Sequence, residues 1–433
     1  MQKDFDIVVF GATGYTGMIV CEELARYSRK NSNIAWAVAG RSDSNLQKTL
    51  HQISERTGLP PVKQISRIVA TVENPESLLA MAERAKVVIN CVGPFSVNGE
   101  EVVKACLKGG AHSLDISCEN QYLESVQLRY DAEARKKGLF VIGSLGFDSV
   151  PTEVGIQYTV EKFPGALNEV EAFIYTPPMP SKSTLSMFET MTAELSNAKN
   201  LGELRKRLFP RGLPKPPSLQ KPRSRLFYED AVSSWCIPYV GSNEGVVFRS
   251  QRRLYESNRI DQAIQFRCYR CVPNYLLGLF LLIYGFIIGV LLEFAVTRKL
   301  LLRKYKLFSA GMVSKEGSPR DHLETTSFTT TFLGLGYEKS ERAKTGEPTK
   351  FIITRLRGPD PYFITTAICV VQAAIILLSN ADRMPDKSGV FSPGAAFWNT
   401  DYIQRLRDRG LTFEVVSNEG GDTEQRQDKD KET

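Results

Sequence analysis

The sequence predicts an α/β protein in which a doubly wound parallel sheet precedes a second α/β domain with a largely antiparallel sheet and a hydrophobic insertion. Three observations carry the prediction. Short apolar runs alternate with helical stretches from residue 1 to about 145. Runs at 169–175, 262–269, 325–333 and 350–356 instead alternate apolar and polar residues. Between the second and third of these, Cys271 to Leu292 carries no charge. Strands alternating with helices build a parallel sheet buried on both faces, whereas period-two strands leave one face wet.

In the first part, strands are expected at 5–10, 34–39, 66–71, 86–90, 112–116 and 139–143, with helices at 16–30, 43–57, 75–84, 99–108 and 120–137 between them. The first strand runs straight into Gly11-Ala-Thr-Gly14-Tyr-Thr-Gly17. Gly11 permits the tight turn, Gly14 lets a pyrophosphate approach the backbone, and Gly17 lets the helix sit close to the strand. The amides from Thr13 through Gly14, Tyr15 and Thr16 then face the phosphates from the positive helix end. This is a Rossmann-type dinucleotide cradle, and residues 1–150 are expected to form that domain.

The second strand closes on Gly40-Arg41-Ser42-Asp43. A carboxylate here would hold the ribose hydroxyls of NAD. Arg41 and Ser42 come first, and a guanidinium grips a 2′-phosphate through paired hydrogen bonds. NADP is therefore the expected cofactor and NAD the second choice, with Asp43 as the residue that argues for NAD.

Ligands of such sheets bind beyond the carboxyl ends of the strands. Three unusual loops fall there: Asn90 to Phe95, Asp115 to Glu119, and Gly143 to Pro151. Cys91, Val92, Gly93 and Pro94 are expected to touch the cofactor. Hydride transfer asks little of the protein beyond positioning and a proton donor. Candidate donors are Asp148, Ser149, Ser117 and His112, and none is assigned. Asp148 and Ser149 alternatively cap the helix that Pro151 starts, and His112 sits within a strand. No Tyr-x-x-x-Lys pair stands where a short-chain dehydrogenase needs one.

A second α/β domain is expected over 151–380, with a buried helix at 364–379. A C-terminal segment follows over 381–416, its 389–397 stretch a loop rich in small residues. The polar stretch 417–433 is expected to be disordered. Residues 205–225 combine eight basic residues, Arg205 to Arg225, with prolines, and read as a solvated loop or a mobile basic arm.

The insertion 271–292 would make a helix of about 33 Å at ~1.5 Å per residue, close to the ~30 Å core of a bilayer. Arg252, Arg253, Arg259, Arg267 and Arg270 precede it; Arg298, Lys299, Arg303, Lys304 and Lys306 follow it. Positive charge on both flanks favours the same side of a membrane. The expectation is a monotopic anchor in a membrane or lipid-droplet surface, either a shallow hairpin or an in-plane helix bent near Gly278, Gly285 or Gly289. A buried core helix is the alternative.

The 433 residues carry a net charge of +7 and no aromatic-interleaved basic patch, so no nucleic-acid partner is expected. The eight cysteines read as free thiols. One C-x-x-C, Cys268 to Cys271, and three histidines, His51, His112 and His322, give no reason to expect a metal.

Gly-Ala-Thr-Gly-Tyr-Thr-Gly at 11–17, Ala-Val-Ala-Gly-Arg-Ser at 37–42, Asn-Cys-Val-Gly-Pro at 90–94, Asp-Ile-Ser at 115–117, Gly-Phe-Asp-Ser-Val-Pro at 146–151 and Gly-Val-Phe-Ser-Pro-Gly-Ala-Ala-Phe at 389–397 resemble the saccharopine dehydrogenase-like oxidoreductases. The resemblance runs over nearly the whole chain. It implies a C-terminal segment packed back toward the Rossmann domain. It also implies attachment to the cytoplasmic face of lipid droplets and ER-derived membranes, with the mitochondrion as another location. Bacterial relatives are similar to trans-acting enoyl reductases of glycolipid synthesis. Three functions follow as expectations: an NAD(P)H-dependent reductase of a lipid enoyl or keto group, a catalytically silent cofactor-binding scaffold on lipid droplets, and a saccharopine-type amino-acid dehydrogenase. An apolar small-molecule substrate suits the insertion best, and a second copy of the chain is a candidate partner.

Overall fold

The computed structural model describes residues 2–30, 34–176, 183–197, 201–338 and 346–418. Six strands open the chain: β1 (Phe5–Phe10), β2 (Trp36–Gly40), β3 (Ser66–Val69), β4 (Ala85–Asn90), β5 (His112–Asp115) and β6 (Phe140–Ile142). Five helices connect them: α1 (Tyr15–Lys30), α2 (Asp43–Thr57), α3 (Pro75–Glu83), α4 (Phe95–Gly109) and α5 (Asn120–Lys137). In β1, Ile7 and Val9 join the core on one face of the sheet and Val8 and Phe10 the core on the other. That two-sided burial is why the run is continuously apolar. Local chemistry sets the helix ends. Ser42 caps α2 by accepting from Asn45 N at 3.3 Å, and Asn74 caps α3 ahead of Pro75.

All strands of this sheet are parallel, and β1 pairs with both β2 and β4. The order of the chain reverses there, so the ligand crevice lies beyond the carboxyl ends of β1 and β4. A seventh strand, β15 (Gly389–Phe391), pairs with β6. The loop expected over 389–397 is thus a strand followed by α15 (Pro393–Ala396). Three residues are too few to show a period, and Val390 N is held by Asp131 Oδ1 at 2.9 Å, a partner far away in sequence.

The second sheet has seven strands in the order β16-β14-β13-β7-β11-β10-β9. They are β7 (Ala166–Tyr175), β9 (Phe227–Glu229), β10 (Ser234–Pro238), β11 (Gln265–Val272), β13 (Ser327–Tyr337), β14 (Lys350–Pro359) and β16 (Thr412–Asn418). Every pair is antiparallel except β7 with β11. A two-stranded ribbon of β8 (Ser183–Thr184) and β12 (Val313–Ser314) stands apart. The connecting helices are α6 (Val150–Lys162), α7 (Leu185–Asn197), α8 (Leu201–Leu208), α9 (Asn243–Glu256), α10 (Tyr275–Glu293), α11 (Ala295–Arg303), α12 (Tyr305–Phe308), α13 (Arg320–Thr325), α14 (Thr366–Asn380) and α16 (Tyr402–Arg407).

After β14 the chain returns to the first sheet through α14, which is buried against α1, β4 and α16. It then adds β15 there and goes back to supply β16 to the second sheet. Because β16 runs to Asn418, residues 417 and 418 are strand; the rest of the expected disordered tail lies outside the described residues.

The basic stretch 205–225 is not a free arm. Arg205 pairs with Glu124, a fully buried carboxylate, at 2.9 Å, and Arg223 pairs with Glu171 and Glu229. Buried carboxylates need partners, and this stretch supplies them.

The insertion forms one helix, α10, that continues through Gly278, Gly285 and Gly289 and breaks only at Phe294, which is extended (φ −103, ψ 132). The expected glycine bends are absent because two of the three glycines have open space around them and nothing forces the helix to turn. Gly278 is different. A Cβ there would lie 2.7 Å from Leu226 and 3.2 Å from Val272, so the glycine lets the helix rest on the sheet. Only Gly278 and Leu292 of α10 are buried, which overturns the core-helix alternative. Leu276 is 75% exposed and Phe286 is 71% exposed.

Candidate functional site

The cradle after β1 is built as the glycine spacing requires. Gly11 has φ +85, and a Cβ there would fall 2.7 Å from Val92. A Cβ on Gly17 would fall 2.2 Å from Gly11 O, so the close packing of α1 on the turn tolerates glycine alone. Thr13 and Gly14 are exposed, and the first turn of α1 contains no acidic residue to neutralise its positive end. These features fit a pyrophosphate, with the amides of Thr13, Tyr15 and Thr16 as its donors; the Gly14 amide, expected among them, instead closes the turn by donating to Gly11 O at 3.0 Å. The Tyr15 side chain is otherwise engaged. Its hydroxyl donates to Ser318 O at 2.5 Å, and its ring packs edge-on against Phe363 and beneath Arg320.

At the end of β2, Arg41 is exposed, and among the described residues no ion pair holds it. Asp43, the residue that argued for NAD, is held by Arg67 at 2.7 Å in the first turn of α2. The cation is thus available for a 2′-phosphate, while the nearby carboxylate is already matched.

Adjacent strands lie about 4.8 Å apart, so the loops after β4, β5 and β6 form one continuous rim beside the cradle. Asn90 Oδ1 accepts from Val92 N at 2.9 Å, and Asn98 donates to Gly93 O at 3.1 Å, which fixes the loop containing Cys91, Val92, Gly93 and Pro94. Cys91 is half-buried, and desolvation pushes its thiol up to about 12, so it is no nucleophile at neutral pH. Gly93 faces α7: a Cβ there would lie 3.5 Å from both Ser186 and Thr190 hydroxyls. Helix α7 therefore roofs the loop where a nicotinamide would lie.

Asp115 ties the rim together. Its carboxylate accepts from Ser117 N and Oγ, from the Tyr122 hydroxyl at 3.0 Å and from Ser144 N at 3.2 Å. Burial raises its pKa against these bonds. Ser117 is consequently a structural donor to Asp115, and this removes it as a proton donor. His112 is also removed. It is the first residue of β5, an interior strand, and so lies at the amino-terminal end of the strands, opposite the cradle; its Nδ1 accepts from Phe140 N at 3.0 Å. Burial pushes its pKa down to about 4, so it stays neutral. Ser149 precedes α6 without capping it and lies 3.4 Å from the Ser242 hydroxyl.

Asp148 keeps its candidacy. Burial raises its pKa, while the Tyr239 hydroxyl, which donates to Oδ1, and the charge of Arg270 lower it. Tyr239 was not singled out from sequence; it follows β10, far along the chain, and carries no local motif. The Tyr239 phenol is raised well above its ordinary value by burial and by Asp148, so it remains protonated. The phenol gives its one proton to Asp148, so a proton reaching a developing oxyanion here would come from the Asp148 carboxyl, whose protonated form burial favours and which Tyr239 holds in place. Elsewhere, a groove of about 590 Å³ lined by Glu23, Arg26, Glu324, Arg357 and Arg409 contains none of these rim residues.

Comparison with known proteins agrees with this geometry. A family model for the saccharopine dehydrogenase NADP binding domain matches residues 7–142, and NADP is accordingly the cofactor of this domain. A human saccharopine dehydrogenase-like oxidoreductase is 37% identical over 422 residues, spanning 96% of this chain and 98% of the relative. A Caenorhabditis elegans protein named lipid droplet localized protein is 31% identical over 427 residues, spanning 95% of this chain and 98% of the relative. Among solved structures, apo saccharopine dehydrogenase (L-Glu forming) from Saccharomyces cerevisiae covers 95% of this chain at 12% identity and a TM-score of 0.50, which shows the shared fold. With cradle, rim and full-length relatives in agreement, the chain belongs to the saccharopine dehydrogenase-like oxidoreductase family.

Proposed function

We propose that the chain is an NADP(H)-dependent reductase of a lipid enoyl or keto group, working at the cytoplasmic face of a lipid droplet or an ER-derived membrane. The observation that carries this reading is the exposed apolar helix α10, rooted in the same strand, β11, that presents Arg270 to Asp148. At ~1.5 Å per residue α10 measures about 29 Å, the thickness of a hydrocarbon core. Yet β11 before it and β13 after it belong to one sheet, and the return passes Arg298, Lys299, Arg303, Lys304 and Lys306. Both ends must stay on one side, so the helix enters and does not cross. Those cations suit an anionic lipid surface. The lipid-droplet name of the nematode relative points the same way.

The saccharopine-type alternative fares worse. Around Cys118 the rim carries the carboxyl groups of Asp148, Glu119, Glu194 and Asp115, and carboxyl groups do not recognise a substrate bearing several carboxylates.

Stereospecific deuterium transfer from labelled NADPH into a lipid copurifying with the protein tests the catalytic claim; cofactor binding without transfer across a broad lipid panel would leave the scaffold. Flotation with vesicles containing phosphatidylserine tests the anchor. Replacing Leu276, Phe280 and Phe286 with serine should abolish flotation while the melting temperature holds, and retained flotation would reject the anchor.

A further inference from the structure

The chain that returns from α10 passes over the cofactor cradle. After Phe294 it forms α11 and α12, then pairs as β12 with β8, Val313 against Ser183 and Ser314 against Thr184. Gly317, with φ +73, follows and lies against the Tyr15 ring; a Cβ there would fall 3.1 Å from two ring carbons and from the Thr184 methyl. Ser318 O accepts from the Tyr15 hydroxyl at 2.5 Å. Arg320 covers the same ring at 5.3 Å and pairs with Glu22 of α1 at 2.7 Å. Residues 313–320 thus form a clasp on Tyr15, whose amide is one of the pyrophosphate donors. Val313, Ser314 and Ser318 are buried, so the clasp itself is well seated.

The arm that leads to the clasp is not. Helix α11 buries only Leu301, and α12 buries no residue. Val296 is 80% exposed and Leu307 is 75% exposed, and Leu300 and Met312 are exposed as well. Helices this short with so little buried apolar surface open at low cost in water. Arg298, Lys299, Arg303, Lys304 and Lys306 lie among these apolar side chains, the composition of a helix that rests in an anionic headgroup layer. The arm is also tied to the insertion, since the Tyr284 hydroxyl of α10 donates to Phe308 O at the end of α12.

We propose that the arm, residues 295–312, is a second lipid-contact surface, and that seating it on lipid orders the clasp on Tyr15 and tightens the cofactor site. The occupant is the anionic lipid surface that α10 enters, because the arm continues directly from that helix. Met312 stands five positions before Gly317, so an arm fixed on lipid restrains the clasp through the chain itself. Ordering the arm beforehand removes conformational entropy that cofactor binding would otherwise have to remove, and the coupling is reciprocal. The inference rests on the anchor in the reading above and adds its regulation: the protein takes up its cofactor best at the lipid surface.

The test uses the full chain, NADPH and vesicles of phosphatidylcholine and phosphatidylserine. Equilibrium dialysis should show NADPH bound at least about fivefold more tightly with vesicles than without, the lower end of common couplings. The anionic surface itself repels NADPH, so steering by charge would act in the opposite direction. Saturating NADPH should tighten vesicle binding by the same factor. Hydrogen exchange should slow across residues 295–312 when vesicles are added. Leu307→Ser with Met312→Ser should keep flotation through α10 and the vesicle-free NADPH affinity, and should bring the vesicle effect below about twofold. Leu300→Ser with Leu307→Ser serves if that pair does not fold. An NADPH affinity within about twofold with and without vesicles, unchanged exchange across the arm, or a folded double variant that keeps the full effect would overturn the proposal. Flotation without tighter NADPH binding sinks the clasp alone. Absence of flotation sinks the anchor and the clasp with it. Tighter NADPH binding on vesicles without deuterium transfer sinks the reductase reading and leaves the clasp.

Discussion

Two residues carry the proposals for the cofactor and the proton. Arg41 stands exposed at the end of β2 while Asp43 is occupied by Arg67. Arg41→Ala should weaken NADPH binding about 10- to 100-fold, as expected for loss of hydrogen bonds to a charged phosphate worth ~1.5–3 kcal/mol. NADH affinity should stay within about twofold by the same reasoning, since NADH lacks that phosphate. Fluorescence titration with both cofactors checks this, and an equal loss for the two would refute it. Arg41 was readable from sequence because strand, glycine turn and second strand end occur in order along a short stretch. Tyr239 was not, because its partner Asp148 reaches it only through the meeting of two domains. Tyr239→Phe should lower turnover by up to about 10²–10⁴ with NADPH affinity intact, the range of general acid–base catalysis lost when Asp148 loses the partner that positions it. Unchanged turnover would return Tyr239 to a packing role.

At the scale of elements, α4 shows how far local signals reach. The sequence places its start near residue 99, yet it begins at Phe95. Pro94 offers no side-chain cap, and the missing acceptor is Glu119 from the next loop, which takes Phe95 N at 2.7 Å and Ser96 N at 2.9 Å. Glu119→Ala should leave two amides unpaired and cost about 1–3 kcal/mol, read as a fall in melting temperature. An unchanged melting temperature would show that water replaces the cap. By contrast α2 appears where the sequence places it, Asp43 to Thr57, because Ser42 at one end and Gly58 in the left-handed region at the other are local signals. The insertion was legible as a helix from its composition, but whether it lay inside or outside depended on what the sheets left uncovered.

At the scale of the molecule, Glu153 couples the domains. It lies on α6, accepts from Ser250 of α9 at 2.7 Å, and leaves no room for a Cβ on Gly394 of α15. Burial raises its pKa from 4.5 to about 8, against the Ser250 bond and the Arg249 charge. A carboxyl whose folded pKa lies above its unfolded value favours folding while protonated. That contribution is complete below about 4.5 and is lost as the pH rises through about 8. Stability should therefore decline by a few kcal/mol between those limits, and Glu153→Gln, which keeps an acceptor for Ser250, should flatten the decline. Melting temperatures across pH 5 to about 8 check it; a wild-type slope retained in the variant would assign the titration to other groups.

The chain by itself determined the parallel sheet, the pyrophosphate cradle and the choice of NADP, because each depends on residues adjacent in sequence and on a backbone geometry few residue types permit. Only the tertiary structure decided that residues 389–391 close the first sheet, that His112 and Ser117 stand outside the chemistry, that Tyr239 joins Asp148, and that α10 lies bare on the surface. Those outcomes arise from contacts between segments far apart along the chain. Burial there changes the cost of a charge or an apolar face, and no local pattern records what will come to cover it.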